Sequence, residues 1–205
     1  MKKTAYCFDL DGTVTKQEIL PLISKKVGLH EEINLLTEIT LKGLIPFETS
    51  FKLRVKLLSS IAISVVKEVV NEVVLDENIA NFIKQNKENC FIVTGNLNVW
   101  VSELISNELG CESFSSTALN TGDKLDGIGT ILNKGKAIEK VKLNFDKIVT
   151  IGDSMNDCSM FEKANIRIAY GGIHNPVNTL IKLSDYVVYN SKSLVELLEN
   201  IKNEN

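Results

Sequence analysis

Phe8-Asp9-Leu10-Asp11-Gly12-Thr13-Val14-Thr15 is the stretch on which the reading of the chain turns. Thr4-Ala5-Tyr6-Cys7-Phe8, just ahead of it, is apolar and aromatic and reads as a buried strand. The strand gives way at once to two carboxylates around one apolar residue, then to glycine and hydroxyls. Extended alternation would aim Asp9 and Asp11 to one side and Leu10 to the other. Like charges so close resist ionising together unless a cation lies between them or one keeps its proton. A hard divalent ion such as Mg²⁺ suits the pair, because it takes oxygen ligands and binds through one or two carboxylates plus phosphate. Asp-Gly after a strand is equally ordinary turn chemistry, so the stretch decides nothing alone.

Outward from it, the periodicity changes to helical. Ile19, Leu22, Ile23 and Val27 form one apolar stripe, ended by Gly28. Ile33, Leu36, Ile39 and Thr40 form a second, ended near Gly43. Phe47, Phe51, Val55 and Leu58 form a third behind Pro46, and Ile63, Val66, Val69, Val70 and Val73 a fourth. From Asp76 onward strands and helices alternate. Helices are expected around Ile79–Ile83, Val99–Leu109, Lys134–Val141, Met155–Ala164, Pro176–Leu183 and Ser193–Ile201, the last capped by Ser191 or Ser193. Strands are expected at Cys90–Val93, Ile148–Ile151, Ile166–Ala169 and Tyr186–Val188, with a hairpin over Phe114–Leu125 turning at Asn120-Thr121-Gly122-Asp123.

This alternation implies an α/β protein with a doubly wound, mostly parallel sheet. A simple βαβ unit takes about thirty residues, so the longer gap between the Phe8 and Cys90 strands is an excursion. The expected division is a core of residues 1–14 and 77–205 with a small helical bundle, residues 15–76, inserted as a cap. The excursion leaves just after Asp11, over the C-terminal edge of the sheet, where open α/β sheets bind ligands.

Composition narrows the function. The 205 residues carry a net charge of −3, which offers no basic face for nucleic acid. No apolar run approaches the roughly 20 residues needed to span a bilayer. The start, Met1-Lys2-Lys3-Thr4, leads into a strand and then acid, unlike a signal peptide, so a cytoplasmic protein is expected. Cys7, Cys90, Cys111 and Cys158 lack metal-site spacing, and Cys7 and Cys90 read as small buried hydrophobes.

Three strands are expected to deliver polar residues at their C-terminal ends: Asp9 and Asp11, then Thr94, then Asp153 with Asp157 one helical turn later. Lys134 opens a helix in the same half. Each has a plain alternative: a solvated lysine, a threonine cap, or carboxylates complementing a helix dipole. Together, in this order, they resemble the four motifs of the haloacid dehalogenase-like superfamily: Asp9-Leu10-Asp11-Gly12-Thr13-Val14-Thr15, Thr94, Lys134 and Gly152-Asp153-Ser154-Met155-Asn156-Asp157. Asp11 points to its phosphatase branch. The resemblance implies a Rossmann-like core and hydrolysis of a phosphomonoester through an aspartyl-phosphate. Asp9 would be the nucleophile and Asp11 the general acid and base. Mg²⁺ would be bound by Asp9, the Asp11 backbone carbonyl and Asp153, with Asn156 and Asp157 behind it. Thr94, Gly95 and Lys134 would hold the phosphate.

The helical segment resembles the C1-type cap of phosphoserine phosphatases through Glu18 and the run Gly43–Leu58. Arg54 would take the carboxylate and Glu18 the ammonium of phosphoserine, with Phe47 closing the site. Most such charges are simply helix surface. The chain departs from that pattern with Asn96 where Gly is common, Leu41 where Met is common, and a longer loop at Gly171–Pro176 carrying His174. Other expectations stay open: a nucleotide or sugar phosphate as substrate, transfer to an acceptor alcohol such as homoserine, or a phospho-accepting switch that does not turn over. The partner in every case is a small phosphorylated metabolite, and the oligomeric state is left open.

Overall fold

The computed structural model describes residues 3–203; the basic start read above at Met1-Lys2 lies outside them. The chain runs β1 (Thr4–Phe8), α1 (Ile19–Ser24), α2 (His30–Leu41), α3 (Phe47–Leu58), α4 (Ile63–Asn71), α5 (Glu77–Gln85) and β2 (Cys90–Leu97). It continues α6 (Asn98–Leu104), β3 (Glu112–Thr121), β4 (Lys124–Thr130), α7 (Lys134–Val141), β5 (Lys147–Gly152) and α8 (Cys158–Phe161). It ends β6 (Ile166–Tyr170), α9 (Asn178–Leu183), β7 (Tyr186–Val188) and α10 (Ser191–Asn203).

The strands form one seven-stranded sheet in the order β4-β3-β2-β1-β5-β6-β7. Every pairing is parallel except the β3–β4 hairpin. The central strands are apolar on both faces, as a parallel sheet covered by helices requires. In β1, Tyr6 and Phe8 enter one core, with Phe82, Trp100 and Leu198. Ala5 and Cys7 enter the other, with Ala137, Ile138 and Phe161. Tyr6 meets the edge of Phe82 at 5.2 Å between ring centroids, and Cys7 and Cys90 are fully buried and free.

Helices α1–α4 lie between β1 and α5 in sequence. The chain's way out and way back run side by side: Lys16 N donates to Val74 O at 2.8 Å, and Asp76 N to Val14 O at 2.8 Å. Helix α4 is docked from the far side, where the hairpin turn supplies Asp123. Its carboxylate accepts from Ser64 N at 2.7 Å and Ser64 Oγ at 2.6 Å, and its carbonyl from Ile63 N at 2.8 Å, so two of the orphan backbone donors at the α4 start are satisfied.

Several boundaries differ from the sequence expectations, each for a local reason. Past Phe8 the chain does not stay extended: Leu10–Val14 winds into one wide turn closed by Thr15 N donating to Leu10 O at 2.9 Å. Gly12 makes this possible with φ +71°. Strand β2 continues through Thr94 to Leu97 instead of stopping after Val93. The Met155–Ala164 helix shrinks to a 3₁₀ turn and the single turn α8, because Ser154 and Asp157 cap each other and start it tightly. Helix α9 starts at Asn178, since Val177 is extended at ψ 145°. Neither Ser191 nor Ser193 caps α10; Asn190 does, its Oδ1 accepting from Ser193 N at 2.9 Å.

Candidate active site

The C-terminal ends of β1, β2 and β5 lie next to one another, so the residues just beyond them share one edge of the sheet. A cavity above that edge is lined by Asp9, Asp11, Gly95, Asn96, Ser154 and Asn156 from the sheet side. From the helical side come Glu18, Leu20, Thr37, Thr40, Leu41, Phe47, Phe51 and Arg54.

Lys134 opens α7 and is 2% exposed. Its ammonium is wedged between Asp9 Oδ1 at 2.5 Å and Asp157 Oδ1 at 2.7 Å. Burial alone would lower the Lys134 pKa, but the Asp157 and Asp9 carboxylates outweigh burial and raise it. It is a fixed positive charge. The other Asp157 oxygen accepts from Asp153 N at 3.1 Å, Ser154 N at 2.9 Å and Ser154 Oγ at 3.1 Å. Gly152 leaves room for this arrangement, since a Cβ there would lie 2.5 Å from Asp157 Cγ. Asp157 is therefore a saturated anchor that holds Lys134 in place.

Asp153 is the opposite. It is 2% exposed, yet both carboxyl oxygens lack a hydrogen-bond partner. Burial, then the Asp157 and Asp9 charges, push its pKa well up, and burial does the same to Asp9. An unpartnered buried carboxylate is costly unless a cation or proton meets it. Oxygens of Asp9, Asp153 and Asp157 lie within 4.8 Å of one another. This all-oxygen set fits a hard divalent cation.

Asp11 does not share that cluster. Its Oδ1 accepts from Ile19 N at 2.9 Å and its Oδ2 from Asn96 Nδ2 at 2.5 Å. Asp9 and Asp11 thus face one cavity but have different neighbours. Burial and the Glu18 charge, opposed by the Ile19 N–H, bring the Asp11 pKa up to about 7. Thr94 is fully buried next to Gly95, its Oγ1 accepting from Asn96 N at 3.1 Å.

The helical wall holds the other expected residues. Phe47 stacks on Phe51 with centroids 5.2 Å apart and points its Cζ edge at Gly95, where any Cβ would overlap the ring. Arg54 is 4% exposed, so it is no surface charge. Its Nη1 donates to Thr37 Oγ1 at 3.0 Å while its Nε has no partner. Glu18 faces His174 Nε2 at 3.3 Å, a pairing that holds the His174 pKa above its ordinary value. Sequence reasoning left His174 and Asn96 without roles, quoted Ser154 only as part of a motif, and passed over Thr37 and Leu20. Loop position and helix phase gave no signal for most of them; the Gly-to-Asn departure at 96 was one.

A model of haloacid dehalogenase-like hydrolases matches residues 7–162. The chain belongs to this family. The phosphoserine phosphatase of Methanocaldococcus jannaschii is 28% identical, the alignment covering 98% of this chain and 99% of that one. That of Lactococcus lactis is 25% identical over 79% of this chain and 81% of its own. Among solved structures, a substrate-bound phosphoserine phosphatase superposes with a TM-score of 0.84 at 26% identity, covering 98% of each chain. A phospho-aspartyl intermediate analogue of phosphoserine phosphatase superposes with 0.85 at 25% identity, covering 96% of this chain and 99% of the other. Among the described residues, no helix is long and apolar enough to cross a membrane.

Proposed function

We propose that the protein is a Mg²⁺-dependent phosphoserine phosphatase acting through an aspartyl-phosphate on Asp9. Asp153 carries this reading: a buried carboxyl beside Asp9 with two unpartnered oxygens is a cation ligand in waiting. Asp9, Asp153 and the Asp11 backbone carbonyl would hold Mg²⁺, which when bound supplies positive charge to the phosphoryl oxygens. Lys134 adds a fixed charge on the same side, and the Thr94 hydroxyl and Gly95 backbone contribute hydrogen-bonding groups.

In the first step Asp9 attacks phosphorus, the ester P–O bond breaks, and the Asp11 proton passes to the leaving oxygen, releasing serine. In the second, water attacks phosphorus, Asp11 takes its proton back, and the bond to Asp9 breaks to free phosphate. An acid with a pKa of about 7 is suited to both transfers near neutral pH. Residues 15–76 serve as the cap. Arg54, with a free Nε–H in a dry wall, takes the substrate carboxylate, and Glu18 takes the ammonium. Phe47 shields the site from water. The substrate is a small soluble metabolite, consistent with action in the cytoplasm.

The test is phosphate release from phosphoserine, nucleotides, sugar phosphates and p-nitrophenyl phosphate, with Mg²⁺ and after chelation, with and without acceptor alcohols such as homoserine. Many turnovers are expected, fastest with phosphoserine, abolished by chelation and unaffected by acceptors. A single retained equivalent of phosphate would instead indicate a switch, and preference for another ester would displace the substrate assignment.

A further inference from the structure

Asn96 stands between the phosphate end of the cavity and the acid/base residue. Strand β2 runs past Thr94 to Leu97, and its register against β3 shifts between Val93 and Leu97. At this irregularity Gly95 O accepts from Ser116 Oγ at 2.7 Å, and Asn96 N donates to Thr94 Oγ1. The Asn96 side chain is thereby held in the cavity wall, 5% exposed, with Nδ2 2.5 Å from Asp11 Oδ2.

Asp11 thus receives one donor on each oxygen, from two different elements: Ile19 N at the start of α1 and Asn96 Nδ2 on β2. A carboxyl group held through one oxygen can still swing about that bond. A donor on each oxygen fixes its plane. The amide nitrogen also has no capacity to accept a proton, so it orients Asp11 without competing for the proton that Asp11 transfers. A side chain at 96 is needed for this, because glycine offers no donor that reaches Asp11.

We propose that Asn96 is a positioning residue for the acid/base step, holding the Asp11 carboxyl where it protonates the leaving oxygen. The inference rests on Asp11 being the acid. It predicts a dependence on the leaving group that a merely structural residue would not produce. An alkoxide such as that of serine needs a proton as it leaves, whereas p-nitrophenolate does not.

The experiment measures kcat/KM of Asn96→Ala, Asp11→Asn and the double variant toward phosphoserine and p-nitrophenyl phosphate. Asn96→Ser, a shorter donor, is the second variant should Asn96→Ala melt early. Asn96→Ala is expected to lose about 10- to 100-fold toward phosphoserine, part of the 10²–10⁴ that a general acid supplies, and much less toward the aryl ester. The double variant should be no slower toward phosphoserine than Asp11→Asn, since both changes disable one group. Equal losses toward both esters, or additive losses in the double variant, would overturn the role of Asn96. If Asp11→Asn itself ignores the leaving group, the acid assignment fails and this inference with it. If Asp11→Asn discriminates and Asn96→Ala does not, only the inference falls.

Discussion

At the sheet end of the cavity the Lys134 ammonium meets two carboxylates, at 2.5 and 2.7 Å. At the helical end Arg54, as deeply buried, donates to one neutral hydroxyl and leaves its Nε without a partner. Two buried cations, Arg54 in the cavity wall and Lys134 behind Asp9, are therefore treated differently. The first is neutralised by the protein itself and is stable before any ligand arrives. The second keeps unused hydrogen-bonding capacity, and burial lowers its pKa while Glu18 and Asp11 pull it back. On the proposed function, the contrast separates a prebuilt chemical centre from a recognition wall that a ligand would complete. Asp153, with its bare oxygens, leaves the sheet side of the site incomplete as well.

The contrast is broken most severely at Lys134. Lys134→Met would leave Asp9 and Asp157 facing each other in a dry site, and removing one partner of a buried pair costs about 3–5 kcal/mol. Urea denaturation should show a loss of that size, and a loss under about 1 kcal/mol would mean the carboxylates find other partners. Arg54→Ala should hardly affect folding by comparison. Its expected effect is a KM for phosphoserine raised by roughly 10²-fold, the scale for truncating a buried charged partner, with little change for p-nitrophenyl phosphate. Equal changes for both esters would detach Arg54 from the carboxylate.

The smallest effect is on stability against pH. Folding raises the Asp11 pKa from 3.8 to about 7, and those of Asp9 and Asp153 move the same way. Across that window these three groups bind more protons in the native state than in the unfolded chain, so their contribution to stability is greatest at the acidic side and declines as pH rises. A bound cation relieves the charged forms and adds stability by mass action. Mg²⁺ should therefore raise the melting temperature more at about pH 8 than at about pH 5. An equal gain at both would argue against a carboxylate site.

The chemical centre was legible in the sequence because strand ends dictate position. Asp9, Thr94 and Asp153 each follow a run of buried apolar residues, and parallel pairing brings those ends together. Lys134 could be placed because a helix start at the same edge leaves it little choice. Asp11 was legible as a site residue but not in orientation, since the wide turn at Leu10–Val14 depends on Gly12 and on hydrogen bonds across the site. Glu18 and His174 come from segments more than 150 positions apart, and no local pattern pairs them. Asn96 was visible only as a departure from glycine; its bond to Asp11 exists because β2 runs two residues past Gly95.

The central claim is that Asp9 carries the phosphoryl group. Acid-quenched samples of Asp11→Asn, taken during turnover of p-nitrophenyl phosphate, whose leaving group needs no proton, with Mg²⁺ and mapped by peptide mass spectrometry, test it directly. The account predicts one phosphoryl group on the peptide containing Asp9, absent when Asp9→Asn is added. Turnover by Asp9→Asn at a wild-type rate, or a phosphoryl group found on another residue, would contradict it.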